Sequence, residues 1–317
     1  MKPNVSVIVP TYNRIAMLDE ALSSVVNQDF DGVVEIIVVD DNSRDGTVEM
    51  VRAKYPDVHL ISLMHNVGAP AARNQALLKA QGQYIAFLDS DDLWKENYLK
   101  TQITTLTHKK SHFCVSPIVI WNTVTNKQKI DLQIPDFERF SSPLHHLLVN
   151  SSFIRTPSSV VFPRQVFEEV GLFDETYRVS EDSDLYIRCL IAGYQIIYSE
   201  EPSAIWRKHS SGQLTNVKDY EIRKQSRLDR INRLYPLLKQ QAELGSISQI
   251  RAEIYANFTR SYLRDKRLLS WLLSYKNVAS NTSALCALKV IFSDFKKIIK
   301  SSISKLSQYT TLPMRSL

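Results

Sequence analysis

Glycine is scarce, at eight in 317 residues. None falls into a Gly-x-Gly-x-x-Gly or Walker pattern, so a loop that cradles phosphates with bare backbone N–H groups is not the organising device. This sets aside the dinucleotide-binding fingerprint and P-loop nucleotide hydrolysis. Cysteine is scarcer still. Cys114, Cys189 and Cys286 are odd in number and far apart. They suit neither a disulfide framework nor a zinc site, and they fit a reducing compartment. No apolar run approaches the roughly 18–20 residues of a membrane-spanning helix. Met1-Lys2-Pro3-Asn4 leads directly into a strand pattern, which reads as no signal peptide. Internal repeats and low-complexity stretches are also missing. The expectation is a globular chain located in the cytoplasm.

The formal net charge of +6 hides a division. Residues 1–217 hold 20 Lys/Arg and 26 Asp/Glu, a net of −6, whereas residues 218–317 hold 19 and 7, a net of +12. Two regions with different partners follow: an acidic domain over 1–217 and a basic helical extension over 218–317.

The acidic region alternates strands with helices. Val5-Ser6-Val7-Ile8-Val9 is a strand stopped by Pro10. Asn13 offers a cap to a helix with Ile15, Leu18, Leu22 and Val25 on one face. Val33–Val39 and His59–Leu63 are further strands, and Gly46-Thr47 opens the helix between them. Ala69–Ala80 is a helix with Pro70 in its first turn. Tyr84–Leu88 is a buried strand. Short connections between such elements imply a doubly wound, mostly parallel sheet. Phe113–Asn122 and Lys129–Ile134 read as a small mixed sheet. Glu181 opens a helix, and Gln195–Tyr198 and Ala204–Trp206 are late strands.

Asp89-Ser90-Asp91-Asp92 follows the Tyr84–Leu88 strand directly. Three acids at a strand end repel one another unless a positive charge joins them. A hard dication such as Mg²⁺ or Mn²⁺ matches carboxylate oxygens. A solvated turn is the rival for the motif taken alone. Open sheets bind ligands beyond their strand carboxyl ends. Pro10-Thr11-Tyr12, Asp40-Asp41 and the acid cluster all lie there, so they converge on one crevice. Tyr12 could stack on a flat base, and Asp41 could accept a hydrogen bond from it. Arg73 could offset phosphate charge or pair with a neighbouring Asp.

Six stretches in order carry a resemblance: Val5–Arg14 (VSVIVPTYNR), Ile36–Thr47 (IIVVDDNSRDGT), Asn66–Asn74 (NVGAPAARN), Tyr84–Trp94 (YIAFLDSDDLW), Val170–Glu175 (VGLFDE) and Glu181–Arg188 (EDSDLYIR). Together they resemble the motifs of inverting family-2 glycosyltransferases of GT-A fold, as found in bacterial cell-surface polysaccharide synthesis. The resemblance covers roughly residues 4–215. It implies a nucleotide-sugar donor, a UDP-sugar first, and a glycan or lipid-linked glycan acceptor. It implies that Asp41, Tyr12, the Pro10 backbone and Arg73 bind nucleotide. Asp91 contacts the metal directly, and Asp89 reaches the ribose or the metal shell. By the same resemblance Asp182 is the expected catalytic base. Related enzymes place a loop His near the metal, which points to His209. Arg207 and Lys208 could reach the diphosphate, and Trp94 flanks the acceptor or fills the core.

Two rivals remain: a nucleotidyltransferase that makes nucleotide sugars, and a non-catalytic sugar-nucleotide-binding module. The first normally carries a Gly-rich basic loop after its first strand, and Pro10-Thr11-Tyr12-Asn13-Arg14 is not one.

In the basic extension, Leu285, Leu288, Phe292, Phe295, Ile299, Ile303 and Leu306 form one helical stripe, with Lys289, Lys296, Lys297 and Lys300 around it. Over 283–306 this suits a helix lying on anionic lipid, peripheral at the inner face of the plasma membrane. A helix packed on the domain or on a dimer partner is the alternative. Nucleic acid is disfavoured, because the basic residues are not interleaved with exposed aromatics. The expected outcome is that full-length chain floats with anionic liposomes and residues 1–280 do not; equal flotation removes the lipid reading.

Overall fold

The computed structural model describes residues 3–109, 111–177, 179–209, 220–239, 246–264, 274 and 276–280. The chain forms two compact units, Met1–Leu147 with Ser151–Lys218, and Leu148–Asn150 with Asp219–Leu317.

The first unit is built on β1 (Val5–Thr11), α1 (Ile15–Val26), β2 (Val34–Asp40), α2 (Thr47–Lys54), β3 (His59–Ser62), α3 (Ala69–Leu77) and β4 (Tyr84–Phe87). β5 (Leu93–Trp94), α4 (Tyr98–Leu106), β6 (His112–Val115), β7 (Ile118–Asn122) and β8 (Lys127–Asp131) follow. After α5 (Pro143–Val149) come β9 (Val160–Pro163), α6 (Gln165–Glu169), α7 (Glu181–Ile191), β10 (Gln195–Tyr198) and β11 (Ala204–Lys208). Among the described residues the strands form two sheets, in the orders β10-β6-β9-β4-β1-β2-β3 and β5-β11-β7-β8. β4, β1, β2 and β3 run parallel, and β9 is antiparallel to both β4 and β6. The architecture is the expected α/β fold with a mostly parallel sheet and a smaller mixed one.

β1 is buried along its whole length, as a central strand covered on both faces must be. Ser6, polar in mid-strand, donates to Glu35 and accepts from the Gly82 N–H at 2.8 Å. A Cβ at Gly82 would lie 2.4 Å from the Ser6 nitrogen, so only glycine admits this approach. Leu18, Ala21, Leu22 and Val25 are the buried face of α1. Phe87 packs edge-on to Phe173 at 5.2 Å, which builds an apolar floor just before the acid loop.

Two expectations need correction. Phe113–Asn122 is not one strand region of a small sheet. Ser116-Pro117 breaks it, β6 joins the large sheet, and β7 joins the small one. Proline offers no N–H to a ladder, so the chain switches sheets there. Nor does Asn13 cap α1. Asn13 adopts φ 50° and accepts from the Arg44 N–H at 2.8 Å. The first-turn N–H of Ile15 donates instead to Asp45, 2.9 Å away on the loop before α2. Asp45 also accepts from the Thr47 N–H and hydroxyl, at 3.2 and 2.6 Å. One carboxylate thus serves the starts of two helices.

In the second unit, α8 (Tyr220–Leu238) and α9 (Ile247–Arg264) carry the buried residues Ile231, Leu234, Phe258 and Tyr262. The Arg227 guanidinium sits 4.9 Å over the Phe258 ring. Burial, with Arg230 and Arg223 nearby, pushes its pKa down to about 9. No helix among the described residues is long and apolar enough to cross a membrane. The 283–306 stripe lies outside the described residues.

Asp45→Ala should cost about 1–2 kcal/mol in urea denaturation, as lost helix caps do. Burial opposes the ionisation of Asp45, but the hydrogen bonds from Thr47 and Ile15 outweigh it and hold the carboxyl below its usual range. Its contribution is therefore present at neutral pH. It should fade only as pH falls below about 4, toward the depressed folded value.

Candidate active site

The parallel register carries Thr11, Asp40 and the end of β4 to the same edge. The chain passes Leu88, whose N–H still bonds the Ile8 carbonyl at 3.0 Å, and turns into the acids. Oxygens of Asp89, Asp91 and Asp92 lie within 4.8 Å of one another. Each acid is held differently.

Asp92 is buried and serves as a post. It accepts from the Thr156 and Ser158 hydroxyls, both at 2.7 Å, and from the Arg207 N–H at 3.1 Å. Asp89 is a quarter exposed and pairs with Arg73 at 2.7 Å. Its N–H donates to the Ser158 hydroxyl at 3.0 Å. Asp91 pairs with Arg14, and its same Oδ2 faces the His209 Nε2 at 3.0 Å. The other ring nitrogen of His209 is buried without a hydrogen-bond partner among the described residues.

Desolvation raises the pKa of Asp89; Arg73 opposes it, and the Asp91 charge adds to it. Desolvation, then the charges of Asp91 and Asp89, raises Asp92 well above the carboxylate range. The three acids meet two arginines, Arg14 and Arg73, and Arg73 is shared with Glu181, so formal negative charge exceeds positive at the cluster. An all-carboxylate donor set with surplus negative charge fits a hard dication. Asp91 and Asp89 are the acids left to hold one, because Asp92 is committed to the protein.

Arg73 itself is buried. One guanidinium nitrogen binds Asp89 and the other binds Glu181 at 2.8 Å. Burial works against its charge, but Asp89 and Glu181 outweigh that and raise its pKa. This is the ion-pair alternative read from sequence, extended to two acids that lie 92 residues apart. Asp182 follows Glu181 in the first turn of α7, and its Oδ1 accepts from the Ser183 N–H at 2.6 Å. Asp41 lies at the N-terminal end of α3. Its carboxylate accepts from the Val67 and Gly68 N–H groups at 2.7 and 2.9 Å, which fixes the loop into that helix. Gly68 sits at φ 88°, where glycine is strongly favoured. Tyr12 is half-exposed on the neighbouring loop, and Pro10 is paired with Val39 in the sheet.

One secondary expectation fails, and one open alternative is decided. Arg207 does not reach outward. It is buried, donating to the Asp91 carbonyl, to Glu20 and to the Met17 carbonyl, so it ties β11 to the acid loop and α1. Trp94 is core rather than an acceptor platform; it stacks on Tyr98 at 4.1 Å and donates to the Ser158 carbonyl at 2.7 Å. Arg14, Thr156, Ser158 and Glu181 are site residues that sequence reasoning did not single out as part of the acid cluster's surroundings. Arg14 and Glu181 stood inside quoted motifs; nothing in sequence pairs Thr156 with an acid 64 residues away.

A doubly wound sheet with an acid cluster at its carboxyl edge is the arrangement of GT-A glycosyltransferases. The family model for glycosyl transferase family 2 matches residues 6–171, and the chain belongs to that family. It is a glycosyltransferase. TuaG of Bacillus subtilis (strain 168), named for teichuronic acid biosynthesis, is 41% identical over 116 residues, which span 35% of this chain and 45% of TuaG. The fold is similar to Staphylococcus aureus TarS 1-349 solved with UDP-GlcNAc: TM-score 0.64, 19% identity, 96% of this chain and 92% of that one. It is also similar to the mannosyltransferase PcManGT of Pyrobaculum calidifontis solved with GDP-Man and Mn²⁺: TM-score 0.55, 20% identity, 94% and 81% covered.

Ser158→Ala removes one donor to Asp92 and the acceptor of the Asp89 N–H. It should destabilise the chain by about 1–3 kcal/mol in urea denaturation, the cost of buried polar groups left unpaired.

Proposed function

We propose that this enzyme transfers a sugar, with inversion, from a nucleotide-sugar donor to a hydroxyl of a glycan or lipid-linked glycan, in a Mn²⁺- or Mg²⁺-dependent reaction of cell-surface polysaccharide synthesis. The observation that carries the reading is the Arg73 bridge, which joins Asp89 of the acid cluster to the residue before Asp182.

In this reading Asp41 and Tyr12 take the base, beside the Pro10 backbone. Arg73 offsets part of the carboxylate charge on the floor of the crevice, with the diphosphate above it. Asp91 would hold the dication, with Asp89 and His209 as its other candidate ligands. Bound there, the ion supplies the Lewis acidity that neutralises a leaving diphosphate. Asp182 takes the proton from the acceptor hydroxyl as that oxygen attacks the anomeric carbon. Leaving group and base on opposite faces of the sugar make a single in-line displacement, and hence inversion. The family match ends at residue 171, so the roles of Asp182 and His209 are proposed from the motif resemblance, supported by the Glu181–Arg73 pair beside Asp182 and the His209–Asp91 contact.

TuaG's name supports a polysaccharide product. The two solved neighbours, with UDP-GlcNAc and with GDP-Man and Mn²⁺, support a nucleotide sugar and a metal. A UDP-sugar is the first donor to try. The proposed location is the cytoplasm, with peripheral contact at the membrane through 283–306.

A donor panel with chelation and Mn²⁺ add-back is the direct assay. Metal-dependent nucleoside diphosphate release supports transfer, whereas pyrophosphate release would point to a nucleotidyltransferase. Asp182→Asn should lower transfer by roughly 10²–10⁴-fold, the worth of a general base, while nucleotide binding survives. Asp91→Asn should abolish the metal-dependent rate. Undiminished turnover in Asp182→Asn would remove the base assignment.

A further inference from the structure

Arg73 and Asn74 are adjacent on α3, and both reach the segment that leads into α7. Asn74 clips the Phe173 backbone in both directions: its amide donates to the carbonyl and its oxygen accepts from the N–H, each at 2.9 Å. The same amide nitrogen reaches Glu175 at 2.8 Å. Arg73 lies over the Phe173 ring at 5.4 Å and crosses to Glu181, while its other nitrogen stays on Asp89. The helix that touches the acid cluster therefore also holds the start of α7.

We infer that Glu181 is a positioning residue: by sharing Arg73 with Asp89 it couples the charge state of the acid cluster to the first turn of α7, and so to Asp182. This rests on the metal-dependent transfer proposed above. A buried guanidinium divides its charge between its two carboxylates. A dication at the cluster satisfies Asp89 and repels Arg73, whose remaining anionic partner is Glu181. Loading the cluster thus shifts the pairing of Arg73 toward Glu181 and firms the turn that carries Asp182. The coupling is reciprocal. With Glu181 neutral, Arg73 pairs with Asp89 alone and competes with the cation for it.

The test is Mn²⁺ binding followed by electron paramagnetic resonance on the full chain, without nucleotide. Wild type, Glu181→Gln, Glu181→Asp and Asp182→Asn are compared, each checked by thermal melting. Glu181→Gln should weaken Mn²⁺ binding about tenfold, within the usual range of coupled sites. Glu181→Asp should recover part of that loss, and Asp182→Asn should bind as wild type does. At saturating Mn²⁺, Glu181→Gln should lower kcat and leave the donor KM near its wild-type value. Wild-type Mn²⁺ affinity in Glu181→Gln, or in Glu181→Asp should the first variant not fold, overturns the coupling. An equal loss in Asp182→Asn also overturns it, since general electrostatics would then suffice. A wild-type chain that binds no Mn²⁺ overturns the metal reading, and this inference with it.

Discussion

The site depends on one buried guanidinium. Arg73 lies within an α/β core where an unpaired charge would be costly. It is tolerated because Asp89 and Glu181 each bind one of its nitrogens. Breaking such a buried pair from one side typically costs roughly 3–5 kcal/mol, because the survivor keeps its charge without its partner. The three residues come from α3, the loop after β4, and α7. Their mutual need holds those elements in register, much as a disulfide would in a chain whose described cysteines, Cys114 and Cys189, are free and buried.

Around that bridge the acids divide their work. Asp92 has its oxygens filled by Thr156, Ser158 and the Arg207 N–H, so it anchors the loop. Asp89 and Asp91 keep exposed edges and cationic neighbours. A rigid post beside two responsive carboxylates is what ligand binding at a strand end requires: the backbone stays fixed while the charge balance changes. Asp41 shows the same economy at the N-terminal end of α3. Its carboxylate holds the Val67 and Gly68 N–H groups, so the residue proposed to meet the nucleotide base also shapes the helix entry.

Much of this was legible in the residues. Buried strands such as Val5–Val9 announce themselves as apolar runs, and Pro70 marks a helix start. Asp89 and Asp91 could be placed at a strand end from local pattern alone, and the order of the six motifs pointed to the family. Local pattern failed where a partner is distant. Asn13 is a good capping residue by type, yet Asp45 of another loop takes the role. Arg207 was polar and beside a loop, and so read as outward, but Glu20 and backbone carbonyls draw it inward.

By itself the sequence determined the alternation of strands and helices, the acidic and basic regions, and the acids at the strand ends. These follow from periodicity and residue type, which act over a few neighbours. Only the tertiary structure decided which acid is a buried post and which keep an exposed edge, that Asn13 yields its cap, and that Phe113–Asn122 splits between two sheets. It alone joined Asp89 to Glu181 through Arg73. Such pairings depend on which charges share a water-poor volume, and that volume exists only once strands and helices far apart in the chain have packed.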